Sequence, residues 1–510
     1  MKLFFSFLTM VLLLAACGGN GNGYETGYHA DDAPAATAPP ADDVPVVLTL
    51  TAPGAGFDFN DPAPPRFREV SVHDPSVFRA GGYFYVIGSH MAMARSADLI
   101  EWVQVAAYVS DDNPLIYNMA DFEEALTFAR TTTFWAGDIR PMPDGRFFMY
   151  YCTCEGSMPL SAMGLAIADH PEGPFMNAGI FLRSMGPNPS ADGTNFNANY
   201  HPNAIDPHVF WDSQGDLWMV YGSFSGGIFI MRMDAATGFP YPGQGFGTRL
   251  MGNYHARIEG PYMLFSQSTG YYYLFVTFGG LYRTDGYNMR IARARHPEGP
   301  FYDARGNPML EVRGTPGRIF DDDAIAPYGT KIMGGYWFRQ ERGERATTRY
   351  LSPGHNSAYF CADSGRYFLF FHTRFFHNHY HQVRVHEMWL NEDGWFVVNP
   401  FRYDGGLPRS FAAEHVPGSW KLINHGQTIN TTSIASETVN FAADGTIYGA
   451  HNGYWELAAD GTTFNVTLNG TRFNGRLTRS YAADQGRWVM SFTAMCADGI
   501  ALWGAGVAID

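Results

Sequence analysis

Asp74-Pro75-Ser76-Val77-Phe78, a turn at Ala80-Gly81-Gly82, and Tyr83-Phe84-Tyr85-Val86-Ile87-Gly88 spell out the unit from which most of the chain is built. A polar or acidic residue opens the unit, an alternating aromatic strand follows, a Gly-rich turn reverses the chain, and a second strand returns. The unit recurs at Asp138-Ile139-Arg140-Pro141-Met142 with Arg146 to Tyr151, and at Asp206-Pro207-His208-Val209-Phe210 with Leu217 to Gly222. It recurs again at Glu259-Gly260-Pro261-Tyr262-Met263 with Tyr271 to Phe275, and at His355-Asn356-Ser357-Ala358-Tyr359 with Arg366 to Phe371. A third strand repeats too: Gly164 to Ala168 and Met289 to Arg293 each run into the same phrase, His170-Pro171-Glu172-Gly173-Pro174-Phe175 and His296-Pro297-Glu298-Gly299-Pro300-Phe301.

Starts at 74, 138, 206, 259 and 355 are 64, 68, 53 and 96 residues apart. Such periods suit four-stranded blades with functional loops, and five of them suit an all-β, five-bladed β-propeller. Equivalent positions of the blades converge on the axis, so Asp74, Asp138, Asp206, Glu259 and His355 are expected to form one ring. Asp often caps a turn before Pro, which accounts for one or two of these residues but not for four acids and a His. Carboxylates crowded in one cavity must spread their pKa values, which is what two-carboxylate acid/base chemistry needs. The apolar and aromatic residues around Glu259 favour its protonated form.

Composition agrees. Aromatic residues are 16% of the 510 residues, with 57 Gly and 31 Pro, which suits many short strands joined by tight turns. A net charge of -15 argues against a nucleic-acid partner or direct binding to an anionic membrane, since both need a basic face. At the N-terminus, Lys2 precedes the apolar run Leu3–Ala16, which ends in Leu14-Ala15-Ala16-Cys17. Residues 1–17 read as a signal peptide, and Cys17 resembles the lipid-bearing Cys of a bacterial lipobox. This predicts an exported chain whose only membrane contact is a lipid anchor. Residues 18–65, Gly/Asn-rich and then Ala/Pro/Asp-rich, read as a mobile tether. The remaining Cys152, Cys154, Cys361 and Cys496 are too few for a disulfide framework and are expected to be buried thiols.

At Val72-His73-Asp74-Pro75-Ser76, Ala204-Ile205-Asp206-Pro207-His208 and Ile258-Glu259-Gly260-Pro261-Tyr262 the sequence resembles glycoside hydrolase family 43. The resemblance implies an inverting glycosidase. Asp74 is then the general base that activates water, Glu259 the general acid, and Asp206 the residue that orients the acid and tunes its pKa. Within the family, Phe134-Trp135-Ala136-Gly137-Asp138, Tyr221-Gly222-Ser223-Phe224-Ser225-Gly226-Gly227-Ile228, Pro353-Gly354-His355-Asn356-Ser357 and Phe371-His372-Thr373-Arg374-Phe375 resemble segments of endo-acting α-1,5-L-arabinanases, with Ser225 standing where Trp is common. Arabinan or a related plant cell-wall polysaccharide is the implied substrate. His73, Trp135, Asp138, Ser223 and Arg374 are the implied substrate-binding residues, Trp135 as a surface on which a sugar face stacks. An exo-acting arabinofuranosidase or β-xylosidase of the same family is the alternative, and a non-catalytic glycan-binding lipoprotein is the rival from another class.

The resemblance also implies calcium in the central channel, facing His355. Calcium prefers oxygen ligands, so the ion would be mostly water-bound and would offset the repulsion among the acids. His372, His377, His379, His381 and His386 form a second cluster, but no matched acid or Cys pattern makes it a zinc site.

After Asn399-Pro400 the texture changes. From 405 to 510, short alternating strands are punctuated by Asp444-Gly445, Asn452-Gly453, Asp460-Gly461, Asn469-Gly470 and Asp498-Gly499, which are strong hairpin signals. A small antiparallel barrel or sandwich is expected there, following a propeller over 66–402. It either binds carbohydrate or is a structural appendage, and the chain as a whole is expected to be a monomer.

Overall fold

The structure is a computed structural model that describes residues 50–59, 63–110, 112–186, 188–376 and 378–509. The signal peptide, Cys17 and most of the tether lie outside the described residues.

Five sheets follow in chain order. Blade 1 is Ser76–Ala80, Tyr83–Ile87, Met93–Ser96 and Trp102–Ala106, and blade 2 is Asp138–Pro141, Phe147–Cys154, Ser161–Ala168 and Met176–Ser184. Blade 3 is His208–Trp211, Leu217–Tyr221, Ile228–Met233 and Thr248–Met251, and blade 4 is Ile258–Ser266, Tyr271–Phe278, Asn288–Ala294 and Thr330–Met333. Blade 5 combines Tyr336–Trp337, Tyr350–Cys361, Arg366–Phe375, Asn378–Leu390 and Phe396–Val398. Ser76–Ala80, Asp138–Pro141, His208–Trp211, Ile258–Ser266 and Tyr350–Cys361 touch in a closed cycle and line the axis. The five repeats are five blades, and the aromatic alternation packs one blade on the next, as where Tyr262, Tyr273, Phe275 and Phe396 share a cluster. Cys152 and Cys154, on one strand, are buried free thiols, as are Cys361 and Cys496.

A second ring of contacts ties the inner strands together. Ser76 Oγ donates to Asp138 Oδ1 at 2.6 Å, and the Val209 amide donates to Asp138 Oδ2 at 2.8 Å. The His208 ring stacks on Tyr262 with centroids 3.5 Å apart, Tyr262 OH donates to the Val77 carbonyl at 3.3 Å, and Ser357 Oγ donates to the Pro75 carbonyl at 2.7 Å. Ser76, Asp138, His208, Tyr262 and Ser357 therefore occupy equivalent places.

The C-terminal sheet closes into an eight-stranded antiparallel barrel from Gly418–Asn424 to Ala501–Gly506, a barrel rather than a sandwich. Its interior holds Trp420, Phe441, Phe464 and Phe492. The Asp-Gly and Asn-Gly pairs all fall between or at the ends of its strands. Two features cut across the expected boundaries. Ile434–Ala435, within the C-terminal sequence, pairs in parallel with Tyr336–Trp337 and so joins blade 5. Residues 50–59, read from sequence as part of a mobile tether, dock on the barrel: Thr51 and Ser419 exchange hydrogen bonds, and Phe57 and Phe59 pack on the barrel core. Two aromatic residues give that stretch an apolar surface that its Ala/Pro/Asp neighbours lack.

Candidate active site

Four of the five blades enter the inner strand through a left-handed bend. Asp74 has φ +58°, Asp206 +57° and His355 +47°, all left-handed, and blade 4 has Gly260 at +58° in the same role. The ladder also breaks there: the pairing of blade 4 shifts between Glu259 and Tyr262, and that of blade 5 between Gly354 and Ser357. A side chain at Gly260 would meet the His355 ring at 3.0 Å, so glycine is required for the close approach as well as for its φ. The bends bring Asp74, Asp206, Glu259 and His355 together.

Asp74 is the most heavily supported of the three acids. His73 Nδ1 lies 2.7 Å from its Oδ2, Ser89 Oγ donates to the same oxygen at 2.5 Å, and His355 Nδ1 lies 3.1 Å from Oδ1. Its amide donates to His372 Nδ1 at 3.1 Å. Burial alone would raise the carboxyl's pKa, but the charges of His355 and His73, with the His73 hydrogen bond, hold it well below the usual carboxylate range. His355 moves the opposite way: burial lowers it, and the surrounding carboxylates, Asp74 foremost, raise it overall. Burial keeps His372 neutral, far below the usual histidine value, consistent with its Nδ1 acting as an acceptor.

Asp206 accepts from the Gly260 amide at 3.2 Å. Burial pushes its carboxyl up to about 8; His355 opposes the rise, and Glu259 and Asp74 add to it. Asp206 and Glu259 are like charges buried together, so the cluster keeps a proton through neutral pH. Glu259 takes hydrogen bonds on both oxygens, from Ser223 Oγ to Oε2 at 2.7 Å and from Tyr287 OH to Oε1. Its apolar sequence neighbours gave no sign of these two hydroxyls.

The arrangement corrects two expectations. Asp138 is not in the ring of acids. It is the first residue of its strand, equivalent to Ser76 and His208, and counting back two residues puts Ala136, which is not left-handed, at the position that Asp74 and Asp206 hold. With Asp138 Oδ1 bonded to Ser76 and Oδ2 to the Val209 amide, and only 1% of the residue exposed, Asp138 ties blades together and presents a sugar with almost no surface. Ser223, also read as a substrate contact, spends its hydroxyl on Glu259 and is buried. Glu259 stands one residue before the bend that Gly260 makes, so the aligned starts hid offsets of one and two residues.

The other expected residues surround the acids. His73 stacks on His372 with centroids 4.0 Å apart, and its Nδ1 is engaged with Asp74. Arg374 is half-buried and interacts electrostatically with Asp74 and Tyr287. Trp135 is half-buried, its amide bonded to the Cys152 carbonyl and its ring against Gly156. Of the histidine cluster, His372 and His381 lie by His73, while His386 is bonded to the Asn399 carbonyl at 2.7 Å. The residue His377 and the side chain of His379 lie outside the described set. Sequence reading missed Tyr287, Ser89 and His372 as partners of the acids; Tyr287 lies in no motif and looks like any blade tyrosine.

Residues 67–324 match the profile of Glycosyl hydrolases family 43. The chain belongs to that family. Residues 400–504 match a C-terminal lipocalin-like domain that accompanies it, in keeping with the closed barrel. Among family 43 relatives, the Extracellular endo-alpha-(1->5)-L-arabinanase 2 of Bacillus subtilis is 47% identical, over 86% of this chain and 94% of its own. The Extracellular endo-alpha-(1->5)-L-arabinanase of Thermotoga petrophila is 40% identical, over 90% of this chain and 98% of its own. The crystal structure of the family 43 YxiA protein from Bacillus licheniformis superposes with a TM-score of 0.84 at 46% identity, covering 86% of this chain and 99% of that one.

Proposed function

We propose that the chain is an inverting glycosidase that cuts α-1,5-L-arabinofuranosidic bonds within arabinan. One observation carries the reading: three buried carboxylates, each with its own set of hydrogen-bond partners, converge at the axis, in a chain whose relatives at 47% and 40% identity are named endo-arabinanases. Asp74, held ionised, takes a proton from the water that attacks the anomeric carbon. Glu259, steadied by Ser223 and Tyr287, gives a proton to the departing oxygen. Asp206, hydrogen-bonded to the Gly260 amide beside Glu259, orients the acid.

The donor set suits a hydrated cation better than a directly ligated one. His73, Asp74 and His372 bring ligand atoms within 4.8 Å of one another, but the two Nδ1 atoms are already spent on Asp74, and the set is too rich in nitrogen for calcium. His355, beside three carboxylates, fits a mostly water-bound calcium, whose positive charge would favour ionised Asp74. Export is supported by the relatives' designation as extracellular. Attachment through a lipid on Cys17 is supported by the apolar run that ends there.

The test is a product profile on linear arabinan, debranched arabinan and xylan, with the anomeric configuration of the first products followed by NMR. Mixed oligosaccharides from linear arabinan, released with inversion, are expected. Arabinose alone from the first minutes would favour exo action, and turnover of xylan only would overturn the substrate.

A further inference from the structure

Phe320 sits against the rule for a large apolar residue. It is 45% exposed, Ile319 before it is 68% exposed, and its backbone has φ +62°. A bulky residue in the left-handed region is a true outlier, and such strain persists only where neighbours impose it, often at a functional site.

The neighbours come from the segments that carry Glu259 and its partner Ser223. Arg257 Nε donates to Asp322 Oδ1 at 2.8 Å, a second guanidinium nitrogen bonds Asp322 Oδ2, and the guanidinium carbon lies 5.6 Å from the Phe320 ring centroid. Arg257 is two residues before Glu259, so this pair clamps the Phe320 loop to the segment that carries the acid. From the other side Phe224 meets Phe320 edge to face, with centroids 5.5 Å apart at 70°. Phe224 follows Ser223, the residue that holds Glu259 Oε2, and Phe224 and Ser225 are themselves left-handed at +48° and +35°. Strained backbone from two blades thus fixes a pair of rings beside Glu259. The T-shaped brace leaves a Phe320 surface open, and apolar C–H faces of sugars favour such a surface.

We propose that Phe320, braced by Phe224, is a sugar-stacking platform on the leaving-group side of the cleft. It would take the pentofuranose ring whose oxygen Glu259 protonates. The side follows from chemistry: residues that flank the general acid line the half of the cleft where the departing chain lies. The proposal rests on the reading of the site given above and adds the residue that grips the departing half of the substrate.

The test compares wild type, Phe320→Ala, Phe320→Leu and Phe320→Trp on linear α-1,5-arabinan, with kcat, KM and Tm for each. Ala and Leu are expected to raise KM about fivefold or more, with kcat within about twofold, while Trp keeps KM within about twofold of wild type. Leu preserves apolar packing on Phe224 without an aromatic face, so it carries the test if Ala fails to fold. KM within twofold of wild type in both Ala and Leu would overturn the proposal. So would Trp behaving like Ala, which would mean the site needs a shape rather than an aromatic face. Failure of the underlying reading looks different: wild type itself would leave linear arabinan intact.

Discussion

The interior of the barrel and the axial end of the propeller follow opposite rules. Inside the barrel, Trp420 lies on Phe441 with centroids 5.3 Å apart and Phe464 on Phe492 at 5.2 Å. Among the described barrel residues, only Asn469 combines a side chain with positive φ, and it sits in an Asn-Gly turn where that conformation is at ease. At the axis, Asp74, Asp206 and His355 are all left-handed, buried, and charged or poised to be. The barrel's local preferences agree with its fold throughout, which is how a sequence specifies a stable structure. The propeller breaks those preferences repeatedly, at exposed turns such as Arg130 and Met185 as well as at the acids, but at the acids the strain coincides with buried charge and neighbouring contacts hold it. Strain and buried charge together mark the site more sharply than either alone.

The contrast breaks most cleanly when each region is damaged by itself. Asp74→Ala and Glu259→Ala should each lower turnover on linear arabinan by roughly 10²–10⁴-fold while leaving Tm near that of wild type. Glu259→Ala should retain more activity on an aryl arabinofuranoside, whose leaving group needs little protonation. Losses under tenfold in both variants would put the chemistry elsewhere. The inverse experiment is Trp420→Ala, which opens a cavity in a fully buried position and should cost about 3–5 kcal/mol of stability. The folded fraction should retain wild-type kcat, read from denaturant melts alongside activity at low temperature. A catalytic defect in folded protein would tie the barrel to the chemistry.

Both regions were legible in the sequence, for different reasons. The hairpin signals marked the barrel because Asn-Gly and Asp-Gly are used there for their local geometry. The repeats revealed the propeller because every blade buries the same alternating aromatics. Asp74, Asp206, Glu259 and His355 were visible as leading residues of those repeats. The offsets at Asp138 and Glu259 were not, because the strand that follows keeps the same hydrophobic pattern whichever residue sits at the bend, and the pairing shift after Glu259 leaves no mark on it. Tyr287 and Ser89 were hidden for another reason: they reach the acids from separate segments, and no periodicity announces a contact of that kind. Phe57 and Phe59 are diluted in the Ala/Pro/Asp-rich composition of the tether, yet two rings are enough to dock a short segment.

His355 sharpens the comparison at an intermediate scale. Its charge is the foremost of those that lower the Asp74 pKa against burial. Removing it should raise that pKa, so Asp74 becomes protonated at a higher pH. The acidic limb of the pH–rate profile of His355→Ala should therefore move upward, with activity at the optimum down about tenfold or more. Strong chelation of wild type should act in the same direction, and the variant should respond little to chelator. Profiles with and without chelator, alongside metal analysis, decide it; a metal-free wild type with full activity would leave His355 as a hydrogen-bonding residue only.

The smallest effect concerns buried histidines away from the acids. Burial holds His386 at about 3, and burial with the charge of Lys331 holds His425 well below the ordinary value. The Gly334 amide meets His425 Nδ1 at 3.4 Å, where the propeller receives the segment leading back from the barrel. Each histidine has a folded pKa depressed below its unfolded value near 6.5. Between these values the unfolded chain binds the extra proton, so stability is fully present above about pH 6.5 and is lost as pH falls. Each group should contribute a slope of about 1.4 kcal/mol per pH unit. The difference between denaturant melts of wild type and His386→Gln from pH 6.5 to 5 isolates this term, because the other buried histidines and Asp206 contribute equally to both proteins. His386→Gln removes one such proton without adding a charge, so its stability should fall less steeply over that interval. An unchanged slope would mean that His386 is already protonated in the fold, with the hydrogen bond from its Nδ1 to the Asn399 carbonyl outweighing the burial that lowers its pKa.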